Sequence, residues 1–122
     1  VMIAGGIGIT PMLSMLRYMA DTGDQRKTIL IWSNQSKGHI IFADEFKALE
    51  TRLPGLHVSH VLTDTPQSKL LDRTELEKML AGTSRNAPIF LCGPPQMMTD
   101  IKKSLLAIGF PRRLIFTERF SL

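Results

Sequence analysis

Five short apolar runs alternate along this chain with segments in which apolar residues recur every three or four positions. The short runs predict β-strands and the segments between them predict amphipathic helices. The predicted strands cover residues 1–4, 28–32, 56–62, 88–92 and 114–117. The predicted helices cover residues 11–20, 43–53, 72–80 and 96–108. Strand and helix therefore alternate from one end of the chain to the other.

This alternation predicts an α/β fold in a single domain, residues 1–122. Strands joined by one helix run parallel, because each crossover returns the chain to the same edge of the sheet. We expect a doubly wound five-stranded parallel sheet in the order 3-2-1-4-5 with helices on both faces. Ligands of such sheets bind outside the carboxyl ends of the strands. The loops after the first and the fourth strand are therefore the places to look for a site.

The loop after the first strand reads AGGIGITPM, residues 4–12. Its glycines allow a sharp turn and a close approach of a ligand to the main chain. We expect Thr10 as N-cap and Pro11 as the first helical residue, so that unpaired N–H groups and the positive helix dipole face a pyrophosphate. A tight turn without ligand is the alternative. The usual dinucleotide and triphosphate fingerprints are both absent.

The loop after the fourth strand reads CGPPQMM, residues 92–98. Three roles are open for Cys92: a nucleophile, a buried inert thiol, or a small polarizable side chain packed against a flat ring. No histidine is placed by the sequence to activate the thiol. Glycine and two prolines make the turn after it stiff and narrow.

Composition narrows the classes of function without selecting one. The formal charge is +4 and the basic residues are scattered, which argues against a nucleic-acid partner. One cysteine excludes an internal disulfide and favours a reducing, cytoplasmic setting. We expect no metal site, because His57 and His60 would lie on opposite faces of a strand. No run reaches the length of a membrane-spanning helix. Because Val1 already lies in an apolar strand, we expect a fragment of a longer protein.

Together with the terminal FTERF, residues 116–120, the two loops resemble the pyridine-nucleotide-binding domain of the ferredoxin–NADP reductase superfamily, which includes cytochrome b5 reductase. The resemblance extends over essentially the whole chain. It implies that the parent protein is an NAD(P)H-dependent flavin oxidoreductase, that is, an electron-transfer flavoprotein. FAD would lie in a preceding β-barrel that this chain does not contain.

The resemblance also implies roles for individual residues. The pyrophosphate would lie against Gly6, Gly8, Ile9, Thr10 and Pro11. The nicotinamide would lie beside Cys92, with Gly93 and Pro94 shaping its slot and Thr10 close by. The adenosine would follow Asn34, Gln35, Ser36, Thr63 and Asp64, with Pro95 and Met97 near the adenine. Glu118 matches a carboxylate near nicotinamide and flavin, and Phe120 matches an aromatic ring that covers the flavin. The catalytic candidates are Cys92, Thr10 and Glu118.

Several alternatives remain open at this point. Glu118 would otherwise be a solvated strand end. Asn34 and Ser36 suit ribose hydroxyls, and only Lys37 is near enough to hold a 2′-phosphate, so NADH is favoured over NADPH. The expected partners are the FAD-binding domain of the same polypeptide and an acceptor protein with an iron–sulfur or haem group. The alternative to an enzyme domain is a non-catalytic module that senses nucleotide or docks another subunit.

Overall fold

The fold is known from a computed structural model, which describes residues 1–64 and 71–118. Its strands are β1 (Met2–Gly5), β2 (Thr28–Asn34), β3 (Leu56–Leu62), β4 (Ile89–Cys92) and β5 (Ile115–Glu118). Its helices are α1 (Ile9–Thr22), α2 (Ala43–Arg52), α3 (Arg73–Met79) and α4 (Pro95–Ala107). Single 3₁₀ turns occur at Gly6–Gly8, Lys37–His39 and Arg112–Leu114. No helix in the described ranges has the length and apolar character needed to cross a membrane.

The five strands form one sheet in the order β3-β2-β1-β4-β5, and every neighbouring pair is parallel. Both the fold class and the strand order predicted from the sequence are therefore confirmed. The register sets Ala4 of β1 between Trp32 of β2 and Cys92 of β4. In the same row, Cys92 pairs with Glu118 of β5. The row lies at the carboxyl edge of the sheet.

Alternate residues of each strand enter one of two hydrophobic cores, one on each face of the sheet. On the first face, Ala4 and Trp32 pack with the apolar residues of α1 and α2. On the second face, Ile3 and Ile31 pack with α3 and α4. The helices therefore cover both faces, as predicted. Because both faces of β1 are buried, its sequence is a continuous apolar run rather than an alternation of apolar and polar residues.

The start of α1 differs from the prediction. Thr10 is not the N-cap: the helix begins at Ile9, with Gly8 at the capping position, and the Gly6–Gly8 turn leads directly into it. The Thr10 hydroxyl instead donates a hydrogen bond to the carbonyl of Ile7, 3.1 Å away. A glycine-rich loop gives no pattern from which such a turn can be read. Asp72 caps α3: its side chain accepts a hydrogen bond from the Glu75 N–H at 2.9 Å.

Candidate functional site at the carboxyl edge

The glycine turn after β1 and the cysteine turn after β4 touch each other at the carboxyl edge of the sheet. The two strands are neighbours, so their ends emerge side by side. Gly8 lies directly on the main chain of the cysteine turn: a Cβ on it would collide with the carbonyl group of Cys92 and lie 2.9 Å from the nitrogen of Gly93. Gly93 in turn approaches the main chain of Gly5. Close contact of these turns therefore requires residues without side chains.

The first helical residues after β1 lie at this edge of the sheet. N–H groups in the first turn of a helical segment have no partner within it. Because the segment starts with the 3₁₀ turn at Gly6, these donors belong to Gly6 and Ile7, earlier than the predicted cap. Both residues are exposed, and Gly6 adopts a φ of 54° that favours glycine. The positive end of the helix dipole is thus available to an anion.

A buried tryptophan holds the glycine turn in place. The indole Nε1 of Trp32 donates a hydrogen bond to the carbonyl of Gly6 at 3.1 Å. The ring itself is fully buried and packs against Phe46, with ring centroids 5.2 Å apart. Trp32 is not among the site residues predicted from the sequence. An apolar strand position that carries the chain's single tryptophan is the signal that was available, since a buried indole N–H needs an acceptor.

An open groove of about 570 Å³ runs along the carboxyl edge. We call it the carboxyl-edge groove. It is lined by Gly5, Gly6, Ile7, Ser33, Asn34, Gln35, Gly38, His39, Ile41, Thr63, Pro94 and Met97. The groove therefore brings together candidates from the ends of three strands and from the cysteine turn. A volume of this size suits a nucleoside-sized ligand.

Asn34, the last residue of β2, contributes a buried side chain with unused hydrogen-bonding capacity. It is 5% exposed, and within residues 1–64 and 71–118 neither its Oδ1 nor its Nδ2 has a hydrogen-bond partner. Buried polar side chains in folded proteins are nearly always hydrogen-bonded, because an unpaired one loses its hydration without compensation. Asn34 lines the groove, so a ligand with hydroxyl groups would supply the missing partners.

The loop after β2 and the end of β3 are tied together by main-chain hydrogen bonds. The Thr63 N–H donates to the Asn34 carbonyl at 3.0 Å, and the Asp64 N–H donates to the Gln35 carbonyl at 2.8 Å. Four of the predicted adenosine residues therefore lie in adjacent pairs. Ser36 lies in the same loop, where its hydroxyl is hydrogen-bonded to His39 Nδ1 at 2.8 Å.

His39, which is exposed, also lines the groove, although the sequence did not single it out as a site candidate. Ile41 lines it as well and is 40% exposed. The 3₁₀ turn Lys37–His39 brings His39 to the side chain of Ser36, three positions earlier in the chain. The sequence spacing of these two residues does not show that the turn lies beside the groove.

Cys92 is fully buried at the end of β4. Burial raises the pKa of its thiol above the ordinary value, and the negative charge of Glu118, its register partner on β5, raises it further. The thiolate is the nucleophilic form, so both effects oppose a role in attack. Of the three roles left open by the sequence, the structure favours a neutral thiol that packs.

A smaller hollow of about 220 Å³ lies on the other side of the glycine turn. It is lined by Pro11, Met12, Met15, Phe90, Leu91, Phe116, Thr117 and Glu118. Glu118 is exposed and projects from the same face of the sheet as Cys92. We call this the β5 hollow. It adjoins Pro11, a predicted pyrophosphate residue, and Glu118, which is predicted to lie near the nicotinamide.

Not every candidate joins this arrangement. Pro95 lines a separate hollow with Lys102, Lys103 and Arg112 rather than the groove. The Ile9 side chain is fully buried in the first core, so only its main chain faces a ligand. Phe120 lies outside the described residues.

The residues present fit a pyridine dinucleotide. The glycine turn offers main-chain donors with space in front of Gly6, where an added Cβ would meet no atom within 4 Å. Asn34 offers unpaired amide groups beside it. A pyrophosphate binds to main-chain N–H donors such as those of the glycine turn, and ribose hydroxyls bind to an amide such as that of Asn34.

The sequence of this chain matches a known family, and both its sequence and its fold are similar to those of known proteins. A family described as the oxidoreductase NAD-binding domain matches residues 2–103. The NADH-cytochrome b5 reductase 1 of Pyricularia oryzae is 34% identical over 119 residues, which is 91% of this chain and 38% of that protein. Flavohemoglobin from Malassezia yamatoensis, solved with bound FAD and heme, superimposes with a TM-score of 0.86 and 26% identity over 98% of this chain and 31% of its own.

The cytochrome b5 reductase domain of Ulva prolifera nitrate reductase superimposes with a TM-score of 0.82 and 26% identity. That match covers 96% of this chain and 47% of the solved chain. The chain therefore spans between about a third and half of the proteins it resembles.

Proposed function

We propose a function from the premise that this chain belongs to the oxidoreductase NAD-binding domain family, within the ferredoxin–NADP reductase superfamily. The chain is the nucleotide-binding half of a flavin-dependent NADH oxidoreductase, and it positions the nicotinamide for hydride transfer to FAD. One observation carries this proposal: the glycine turn and the cysteine turn are in contact, with helical N–H donors beside them.

The glycine turn binds the pyrophosphate. Gly6 and Ile7 present their N–H groups, and the α1 dipole adds a favourable potential for two negative charges. Gly8, Ile9, Thr10 and Pro11 continue this turn into the helix. The Trp32 hydrogen bond keeps the Gly6 carbonyl turned inward, away from the phosphate oxygens it would repel.

The adenosine lies in the carboxyl-edge groove. Asn34 gains partners for its amide from the ribose hydroxyls. Gln35 and Thr63 line that end of the groove, and Ser36 and Asp64 follow them in the adjoining loops. Met97 contacts the adenine from the α4 side, together with Pro94. Pro95 keeps a supporting role at the start of α4.

NADH is the preferred nucleotide. A main-chain hydrogen bond holds Asp64 next to Gln35, so an acidic residue adjoins the loop at which a 2′-phosphate would have to bind. Like charges that are close together repel each other. The relative from Pyricularia oryzae is named for NADH.

The nicotinamide lies against the edge at which the two turns meet, beside Cys92 and Gly93. When bound, it supplies the hydride that FAD accepts. Cys92 is a neutral, fully buried thiol that limits where the ring can lie, which serves the requirement that donor and acceptor atoms approach to roughly 3–3.5 Å. Thr10 and Glu118 border the same place, where the Glu118 carboxylate stabilises positive charge on the pyridine ring.

The complete protein passes electrons onward. We place FAD in a further domain of the same polypeptide, in keeping with the bound FAD of the flavohemoglobin neighbour. The acceptor is a protein or module with a haem or iron–sulfur group, and the reaction takes place in the cytoplasm, as the lone unpaired Cys92 favours.

Titration with NADH tests the site itself. In ¹H–¹⁵N spectra, NADH is expected to shift amide signals of residues 5–11, 34–36 and 92–98 while those of α3 stay in place. Shifts confined to other segments, or none at millimolar NADH, would reject the site. Reduction of FAD by NADH in the complete protein then tests the activity. Binding without reduction would support the alternative of a nucleotide-sensing or docking module.

A further inference from the structure

The positive charge of the chain is unevenly distributed. The segment of residues 101–117 contains four basic residues, Lys102, Lys103, Arg112 and Arg113, and no acidic residue. Because four of the fifteen basic residues lie here, eleven remain for the rest of the chain, which also contains all eleven acidic residues. The formal net charge of +4 therefore resides in this segment, which runs from the middle of α4 into β5.

The fold brings three of these basic side chains to one hollow of about 350 Å³ between α4 and the edge strand β5. Lys102 and Lys103 line this hollow from α4, and Arg112 lines it from the turn that precedes β5. We call it the basic hollow. Eight residues separate the two basic pairs in the sequence, so they meet only because α4 packs beside β5 in the second core.

No carboxylate within residues 1–64 and 71–118 forms an ion pair with these basic side chains. The ion pairs of the described structure lie between α1 and α2 and in the loop before β2. The acidic residues that flank the segment line other hollows: Asp100 lines one beside the start of α3, and Glu118 lines the β5 hollow. Positive charges held close together repel one another, so the basic hollow favours an anion.

The side chains that line the basic hollow match a phosphate group. Ammonium and guanidinium groups donate hydrogen bonds and accept none, and the guanidinium of Arg112 can bind two oxygens at once. Thr117 adds a hydroxyl group on the β5 side. A phosphate monoester offers three acceptor oxygens and carries about −1.5 to −2 charges near pH 7. A carboxylate has two oxygens and one charge, so it would leave part of this set of donors unused.

The size of the basic hollow indicates a small ligand rather than an acidic protein surface. Its volume of about 350 Å³ lies in the range of small-molecule sites, whereas a stable protein interface covers about 800 Å² on each partner. Met98, which is 5% exposed, and the half-buried Leu106 contribute an apolar part of the lining. The hollow can therefore also hold the organic part of a small phosphate ester.

The basic hollow is separate from the nucleotide site proposed above. It shares no lining residue with the carboxyl-edge groove. Pro94 and Met97 line the groove, whereas their neighbours Pro95 and Met98 line the basic hollow. The start of α4 therefore lies between the two sites, and a ligand in one of them leaves the other accessible.

We propose that the basic hollow is a binding site for a small anion that carries a phosphate group, either free phosphate or an organic phosphate monoester. Lys102, Lys103 and Arg112 are its cationic contacts. This site goes beyond the proposed function and does not rest on it, because none of these three residues takes part in binding NADH.

Titration of the complete protein with inorganic phosphate tests the site, with saturating NADH present so that the glycine turn is occupied. In ¹H–¹⁵N spectra, phosphate is expected to shift amide signals of residues 99–103 and 112–117 in a saturable way, and sodium chloride at the same ionic strength is not. Glycerol 3-phosphate is the second probe. If it binds more tightly than inorganic phosphate, the ligand is an organic monoester; if it does not, the ligand is free phosphate.

Two results would overturn the proposal. The first is the absence of a saturable shift in these two segments with either probe. The second is a shift that only a hexaglutamate peptide produces, since it would identify an acidic protein segment as the ligand.

Charge-reversal variants locate the bound phosphate. Lys103→Glu and Arg112→Glu are each expected to weaken phosphate binding at least about tenfold, because each replaces an attractive contact by a repulsive one. Lys47→Glu on α2 is the matched control: Lys47 is exposed, the net charge changes by the same amount, and phosphate affinity should stay within about twofold of the parent. Equal weakening in all three variants would overturn the proposal, since phosphate would then respond to net charge alone.

NADH affinity separates this site from the proposed function. It should be the same in the parent, Lys103→Glu and Arg112→Glu. A parent protein that binds phosphate at residues 99–103 and 112–117 but binds no NADH rejects only the proposed function. A parent that binds NADH and shows no phosphate shift in those segments rejects only the basic hollow as a site.

Discussion

Replacing Gly8 by alanine separates the two turns that form the nicotinamide site. The added Cβ would collide with the Cys92 carbonyl and approach the Gly93 nitrogen to 2.9 Å. These are main-chain atoms of a turn stiffened by two prolines, so no side chain can rotate out of the way. The collision is therefore relieved only by a shift of one turn relative to the other.

The size of that shift follows from the contact distances. An ordinary contact of the Cβ needs about 3.4 Å, so the Gly93 nitrogen alone requires about 0.5 Å of movement and the carbonyl requires more. Overpacking of this kind reduces the free energy of unfolding by about 1–3 kcal/mol. A displacement near 1 Å at a hydride-transfer site reduces the rate by about a hundredfold. The pyrophosphate donors Gly6 and Ile7 precede the shifted contact, so NADH affinity should fall far less than the rate.

The assay is stopped-flow reduction of FAD by NADH in the complete protein, with NADH affinity and urea denaturation measured on the same samples. Gly23→Ala is the matched control. Gly23 has a positive φ, 71°, which Gly8 does not share, and an added Cβ there would meet no atom within 4 Å; Gly23 lies at the far end of α1. It should lose about 1 kcal/mol of stability and no rate. The reasoning is refuted if Gly8→Ala reduces FAD as fast as Gly23→Ala.

Three further changes test the groove and the thiol. Asn34→Ala removes the buried amide and should weaken NADH binding by about tenfold. Thermal unfolding should show no loss of stability, because that amide makes no hydrogen bond within the described part of the chain. Unchanged NADH affinity in calorimetry would exclude Asn34 from the ribose site. Trp32→Phe keeps most of the ring packing but loses the hydrogen bond to Gly6. We expect the protein to lose about 1 kcal/mol of stability and to bind NADH severalfold more weakly in a fluorescence titration. Lower stability with unchanged NADH affinity would show that Trp32 contributes to the core and not to the site. The raised pKa of Cys92 means that the folded state favours the neutral thiol, so its contribution to stability is present below the unfolded pKa of a thiol and is lost as pH rises through the folded pKa. Urea midpoints from neutral to alkaline pH should therefore fall more steeply in the parent than in Cys92→Ala, and parallel slopes would contradict the burial argument.

Helices and strands were predictable where their patterns were long or capped. The alternating strand at Leu56–Leu62 was predicted at its observed bounds, and the helix predicted over residues 72–80 is observed as α3. The start of α1 was not predicted, because a turn of three residues with two glycines has neither periodicity nor a capping side chain. The second strand was predicted to end at residue 32, whereas β2 continues to Asn34, because pairing with β3 extends the strand past the polar positions.

The order of residues in the chain determined the parallel sheet, the helices on both of its faces and the presence of two unusual loops at one edge. Local preferences and the handedness of crossovers act over a few tens of residues, so they can be read from the order of apolar and polar positions. Only the tertiary structure decided that Gly8 rests on Cys92, that Trp32 holds Gly6 and that the half-buried Phe90 stacks with the exposed Phe116. These contacts join residues 26 to 84 positions apart in the chain, and their distances depend on how the elements pack against one another rather than on any local preference.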